Sequence, residues 1–261
     1  MSFAFAADGT RIAYDVLGDG PPLLLISGQA TDRSVWDRVR ADFAAHHRVI
    51  RFDHRGTGLS DAPDALYSTR GFADDAIRVL DAANAPRAHV YGISMGGRIA
   101  QWLAIDHAAR LGALILACTT PGNAHGIRRP ADVDPILASG LPSRMLPFLV
   151  GDAWLAANPD ALDDLIAVAR DRPVPPHARR LHFAASEAHD AWELLPAISA
   201  PTLVLHGDDD RINVVANAHK LASRIPTATL HVLPGARHYY FWDHRPVASE
   251  LVLDFMARHP L

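Results

Sequence analysis

The sequence predicts an α/β protein, with a mostly parallel central sheet, helices on both faces and one helical insertion. Three observations carry this. Runs such as Leu23-Leu24-Leu25-Ile26 and Leu114-Ile115-Leu116-Ala117-Cys118 are apolar without interruption, as in strands covered on both faces of a parallel sheet. These runs alternate with stretches of helical spacing, the rhythm of right-handed βαβ units. The rhythm stops once, from about residue 122 to 195, and then resumes.

In order along the chain, Ser2 to Ala6 and Arg11 to Leu17 flank the turn pair Asp8-Gly9 and read as a hairpin. Gly18-Asp19-Gly20-Pro21-Pro22 separates it from the first buried strand, Leu23 to Ile26. A helix over Trp36 to Ala45, a strand over Val49 to Phe52, a helix over Gly71 to Ala83 and a strand over Ala88 to Ile93 follow. Gly96 to Ala109 reads as a helix and Ala113 to Cys118 as a strand. Gly122 to Leu195 holds eight prolines, helical stretches such as Ala161 to Asp171, and no buried strand. Residues 1–121 and 196–261 are therefore expected to share one core, with 122–195 inserted as a helical cap. The βα rhythm returns with Pro201 to His206, a helix near Asn213 to Arg224, a strand over Thr229 to Leu233 and a closing helix over Pro246 to Arg258.

A chain of 261 residues is long enough to bury roughly three quarters of its unfolded surface. Its 25 Lys plus Arg against 29 Asp plus Glu give a formal charge of −4, so it lacks the cationic excess that neutralising many phosphates requires. Nucleic acid is not an expected partner. The first residues have no basic start and only a brief apolar stretch, and no apolar run approaches the roughly 18 residues of a membrane span. A signal peptide and a membrane partner are not expected, and the cytoplasm is the expected location. Cys118 is the single cysteine, excludes an intrachain disulfide and reads as a small core residue. The fifteen histidines show no His-Glu-x-x-His or similar ligand spacing, so no metal site is expected.

The chemistry concentrates in Val90-Tyr91-Gly92-Ile93-Ser94-Met95-Gly96-Gly97. Here Gly-x-Ser-x-Gly lies between a predicted strand and a predicted helix, the setting of a nucleophile elbow. The turn is sharp, so the neighbours two residues either side of the serine must be small, and Gly92 and Gly96 are. The same turn is expected to present Ser94 at the carboxyl end of the sheet and to aim the Met95 N–H at a developing oxyanion. A serine is a poor nucleophile until a base takes its proton and a carboxylate orients that base. His238 follows the strand ending at Leu233, and Asp208, Asp209 and Asp210 follow the strand ending at His206. Both loops leave carboxyl ends of strands. His238 is the expected base, and the three adjacent aspartates leave the acid open among them. His206 is read as packed beneath the acid loop, and the insertion's His182 and His189 as surface or satisfied histidines.

Ser94, the aspartate loop and His238, with Leu24-Leu25-Ile26-Ser27-Gly28-Gln29 and Asp53-His54-Arg55-Gly56-Thr57-Gly58-Leu59-Ser60, resemble the α/β-hydrolase superfamily over essentially the whole chain. The elbow, helix and strand from Gly92 to Thr120 are most similar to 3-oxoadipate enol-lactonases and related esterases. The resemblance implies Asp210 as the acid through the Gly-x-x-Asp spacing from Gly207, and Gln29 as the second oxyanion donor beside Met95. It places Ser27 where the family has a histidine, so the oxyanion loop is anchored differently here. It also implies a serine hydrolase that needs no cofactor and acts on a small carboxylic ester, lactone or thioester. Two other readings share the scaffold: a cofactor-free haloperoxidase or perhydrolase, in which peroxide replaces water, and a small-molecule receptor without turnover. Gly56-Thr57-Gly58 reads as a scaffold turn, lacking the remaining residues of a dinucleotide or phosphate loop. In the insertion, Met145, Leu146, Phe148, Leu149, Trp154 and Leu155 have the helical spacing of cap core.

Overall fold

A computed structural model describes all residues from Met1 to Leu261. The chain runs β1 (Ser2–Phe5), β2 (Arg11–Leu17), β3 (Pro22–Ile26), α1 (Arg40–Ala44), β4 (Arg48–Phe52), α2 (Thr69–Ala82), β5 (Ala88–Ile93), α3 (Met95–Asp106) and β6 (Leu111–Ala117). Five helices follow without a strand: α4 (Asp134–Ser139), α5 (Pro142–Leu149), α6 (Asp152–Ala157), α7 (Ala161–Asp171) and α8 (Pro176–Glu187). The chain closes with β7 (Thr202–Gly207), α9 (Ala216–Arg224), β8 (Ala228–Leu233), α10 (Tyr240–Asp243) and α11 (Arg245–Arg258). No helix is long and apolar enough to cross a membrane.

The eight strands form one sheet in the order β1-β2-β4-β3-β5-β6-β7-β8. The β1–β2 and β2–β4 pairs are antiparallel, and every other pair is parallel. Alternate residues of the parallel strands serve opposite faces. Leu24, Ile26, Val90, Leu114, Leu116 and Val204 pack with Phe72, Leu80, Ile99, Leu103 and Leu221 of α2, α3 and α9. Leu23, Leu25, Tyr91, Ile93, Ile115, Leu203 and Leu205 pack with Phe43, Val252, Phe255 and Met256 of α1 and α11. Each fully buried leucine or isoleucine contributes about 1.5–3 kcal/mol, which is why both faces need helices. In register, Ile26 lies beside Gly92, Gly92 beside Leu116 and Leu116 beside Val204. The segments leaving β3, β5, β6 and β7 therefore emerge along one edge.

The buried strands match the sequence expectation within one or two residues, whereas several helices do not. Trp36 to Ala45 is not one helix: a short 3-10 turn over Arg33–Trp36 precedes the five-residue α1. Asp37, between them, turns its carboxylate to Arg51 at 2.7 Å and to Arg40 at 3.3 Å. The elbow helix ends at Asp106, short of Ala109, and α2 begins at Thr69 because Ser68 caps it by accepting from Gly71 N–H. The helix expected from Asn213 begins only at Ala216, since the side chain of Asn213 is engaged elsewhere. Within 122–195, Ala161–Asp171 is a helix as expected, and a bridge between Gly122 and Asp190 draws the ends of the segment together.

Three buried histidines make the fold acid-sensitive. Burial pushes His54 down to about 3 and His89 and His182 down to about 4, with neighbouring positive charge adding to the effect on the first two. The unfolded chain binds these protons near the ordinary value of about 6.5, so between pH 4 and 6.5 it holds more protons than the folded one. Stability therefore rises with pH through that window, by up to about 1.4 kcal/mol per pH unit for each histidine. Urea unfolding midpoints at pH 5.0, 5.75 and 6.5, above the ordinary carboxylate range, are expected to increase in that order. A flat series would contradict the burial of these rings.

Candidate active site

Ser94 sits between β5 and α3 at φ 58° and ψ −119°, a conformation few non-glycine residues adopt. The surrounding backbone leaves no room for larger neighbours. A Cβ on Gly92 would lie 2.3 Å from the Gly96 carbonyl oxygen, and one on Gly96 would lie 2.3 Å from that of Ile26. The turn is tied on both sides: Ser94 N–H donates to the Ala117 carbonyl at 2.9 Å, and Thr119 Oγ1 donates to the Ser94 carbonyl at 2.7 Å. Met95 opens α3, so its N–H has no acceptor within the helix.

Asp210 and His238 meet although 28 residues apart, with His238 Nδ1–H donating to Asp210 Oδ2 at 2.7 Å. Asp210 Oδ1 accepts from the N–H groups of Ile212 and Asn213 at 2.8 and 3.0 Å. Burial alone would raise this carboxyl, but His238 and His206 beside it bring it well below the usual carboxylate range. The neighbouring aspartates face away. Asp208 is exposed and accepts from Gly235 N–H at 2.6 Å, and Asp209 is exposed and pairs with Arg237 at 3.0 Å. His206 lies under the aspartate loop as expected, donating from Nε2 to the Asn213 carbonyl at 2.6 Å. Cys118 joins His206 and Asp210 in a buried group with candidate ligand atoms within 4.8 Å of one another. The Asp210 oxygens and His206 Nε2 in that group already have protein partners.

Ser94 Oγ makes no hydrogen bond to His238 in this arrangement; its polar neighbour is Asn213 Nδ2 at 3.5 Å. The same amide donates to the Cys118 carbonyl at 2.6 Å. Local spacing puts Asn213 near the start of a helix, and nothing local marks its place beside Ser94.

The loop after β3 brings Gly28 against Ser94, so that a Cβ there would lie 3.5 Å from the serine Cβ. Gln29 N–H donates to no protein group. His54 Nε2–H donates to the Ser27 carbonyl at 3.0 Å, Thr31 Oγ1 to the Gly28 carbonyl at 3.0 Å, and Ala30 N–H to His182 Nδ1 at 3.2 Å. Gly56-Thr57-Gly58 turns around the buried Asp53, which accepts from Leu59 N–H at 2.8 Å and pairs with Arg33. That turn is filled by protein. Leu146 and Leu149 of α5 are buried, and Met145, Phe148, Trp154 and Leu155 pack against the same apolar cluster.

A serine at a strained strand-to-helix turn, beside a buried Asp–His pair at the carboxyl edge of this sheet, defines an α/β hydrolase of the serine type. The chain belongs to the α/β-hydrolase family whose model is described as serine aminopeptidase, S33, which matches residues 22–245. It is 34% identical over 255 residues to a Variovorax paradoxus protein named carbamate hydrolase RutD, covering 94% of this chain and 96% of that one. It is 30% identical over 237 residues to 3-oxoadipate enol-lactonase 2 of Acinetobacter baylyi, covering 87% and 86%. Among solved structures, the enol-lactonase from Burkholderia xenovorans LB400 superposes with a TM-score of 0.87 at 26% identity, covering 98% of this chain and all of that one.

Proposed function

We propose that this hydrolase cleaves a small carboxylic ester or lactone through an acyl-enzyme on Ser94, with His238 as base, Asp210 as its orienting acid, and Gln29 and Met95 N–H groups as the oxyanion hole. The observation that carries the reading is the Asp210–His238 pair. With Nδ1–H donated to a buried carboxylate, the imidazole keeps its Nε2 lone pair for a proton. His238 Nε2 takes the Ser94 proton as Oγ attacks the carbonyl carbon, and the oxygen that becomes negative is held by the two amides. Collapse of the tetrahedral intermediate breaks the bond to the leaving oxygen, which takes the proton from His238. Water, deprotonated by the same histidine, then attacks the acyl carbon; the bond from that carbon to Ser94 Oγ breaks, Oγ takes the proton back from His238, and the carboxylic acid leaves. Hydrogen bonds from nucleophile to base are often long without substrate and tighten in the complex, which accommodates the separation of Ser94 from His238.

The enol-lactonase names among the relatives favour an ester or lactone over an amide. Residues 122–195 act in this reading as a cap over the carboxyl edge that shapes the pocket for the acyl or leaving group. The chain is expected to turn over a 4-nitrophenyl ester and to be inactivated by a serine-directed fluorophosphonate, with intact mass rising by one adduct that maps to Ser94. Labelling elsewhere, or none with no turnover, would overturn the proposal.

A further inference from the structure

We propose that His182, on the inserted helix α8, is a positioning residue that holds the oxyanion loop in register with Ser94, so that the cap helix completes the catalytic machinery of the core. This rests on the reading of Gln29 N–H as an oxyanion donor.

The observations form a closed path around the site. Ala30, next to Gln29, has φ 52°, a left-handed conformation a residue with a Cβ does not hold without restraint. Its N–H donates to His182 Nδ1 at 3.2 Å, across 152 residues of sequence. The opposite ring nitrogen, Nε2–H, donates to the Arg55 carbonyl at 2.8 Å. These two partners fix one neutral tautomer and one ring orientation. His182 is fully buried and surrounded by the rings of His54, Tyr67 and Phe72 at centroid distances of 6.0, 5.6 and 5.0 Å. The ring therefore cannot turn away without repacking.

One turn further along α8, Ser186 Oγ accepts from Arg98 Nη1 at 2.8 Å. Arg98 lies one turn beyond Ser94 on α3. A single helix turn thus grips the oxyanion loop with His182 and the nucleophile's helix with Ser186, which sets one against the other. This is also the answer to Ser27. The family's histidine is absent from that position, and the loop is instead held by His54 from the segment after β4 and by His182 from α8.

Removing an oxyanion donor costs on the order of 10²–10³ in turnover, and a donor displaced by about an ångström costs somewhat less. The test compares His182→Leu, His182→Asn and His182→Gln with the wild type. Asparagine places an acceptor near the position of Nδ1, toward Ala30, whereas glutamine reaches toward Arg55. Leucine offers neither. With 4-nitrophenyl acetate, kcat is expected to fall about 10- to 100-fold in the leucine and glutamine variants with KM within about twofold, and to stay within about threefold of wild type in the asparagine variant. Hydrogen exchange in the peptide spanning 28–32 is expected to accelerate in the first two and not in the third. Equal losses in asparagine and glutamine variants that follow their melting temperatures, or exchange unchanged in all three, would overturn the proposal. A wild type without ester turnover would count against the proposed function, while the exchange series decides the anchoring independently.

Discussion

Ser94→Ala is expected to reduce ester turnover on the order of 10⁶-fold, to background, while the protein melts within a few degrees of wild type. The size of the loss is that seen when a serine protease loses its nucleophile, and corresponds to about 8 kcal/mol of transition-state stabilisation. Fold preservation follows from what the side chain touches. Ser94 Oγ makes one hydrogen-bond contact, with Asn213 Nδ2 at 3.5 Å, too long to contribute much. The turn is held instead by the main-chain bonds to Ala117 and Thr119, which alanine retains. Alanine also keeps the Cβ, so the strain at φ 58° neither grows nor relaxes. Steady-state kinetics paired with a thermal melt checks both halves. Turnover within tenfold of wild type by a folded variant would remove Ser94 from the chemistry.

What could be read from the sequence, and what could not, divides by the range of the interaction. The buried strands announce themselves through residues such as Leu23 to Ile26, because a strand covered on both faces has no polar alternation to obscure it. The elbow is legible because its steric demand acts over five consecutive residues, Gly92 to Gly96. Asp210 and His238 are legible as loop residues after strands, a topological rule rather than a contact. Asn213 and His182 escape because nothing local marks them. Asn213 acts through a side-chain amide reaching 95 residues back to Cys118, and His182 through a ring that bridges α8 to the loops after β3 and β4. In sequence His182 is a histidine in a helix like any other. A helix start is obscured for a related reason: Asn213 engages its side chain with a distant partner where local spacing alone extends the helix.

Asp210→Asn is expected to cost on the order of 10⁴ in kcat, as the equivalent change does in serine proteases, whereas Asp208→Asn and Asp209→Asn stay within a few-fold of wild type. The argument turns on which way the new amide points. Asp210 Oδ1 accepts two main-chain N–H groups, from Ile212 and Asn213, so the amide oxygen of asparagine is held on that side. Its NH₂ then faces His238 Nδ1, the position of the present 2.7 Å bond. Two donors cannot share that contact, so Nδ1 becomes the acceptor and the ring proton moves to Nε2, where the lone pair is needed for the Ser94 proton. The base is present and in place but in the wrong tautomer. Asp208 and Asp209 have no such role. Asp208 caps Gly235 N–H, which an amide oxygen also does, and Asp209 forms an exposed pair with Arg237 worth at most about 1 kcal/mol. Rates for the three variants on one activated ester, each checked for folding by its melt, give the ranking. Sensitivity at Asp208 or Asp209 equal to that at Asp210 would show that the His238 proton is governed from elsewhere.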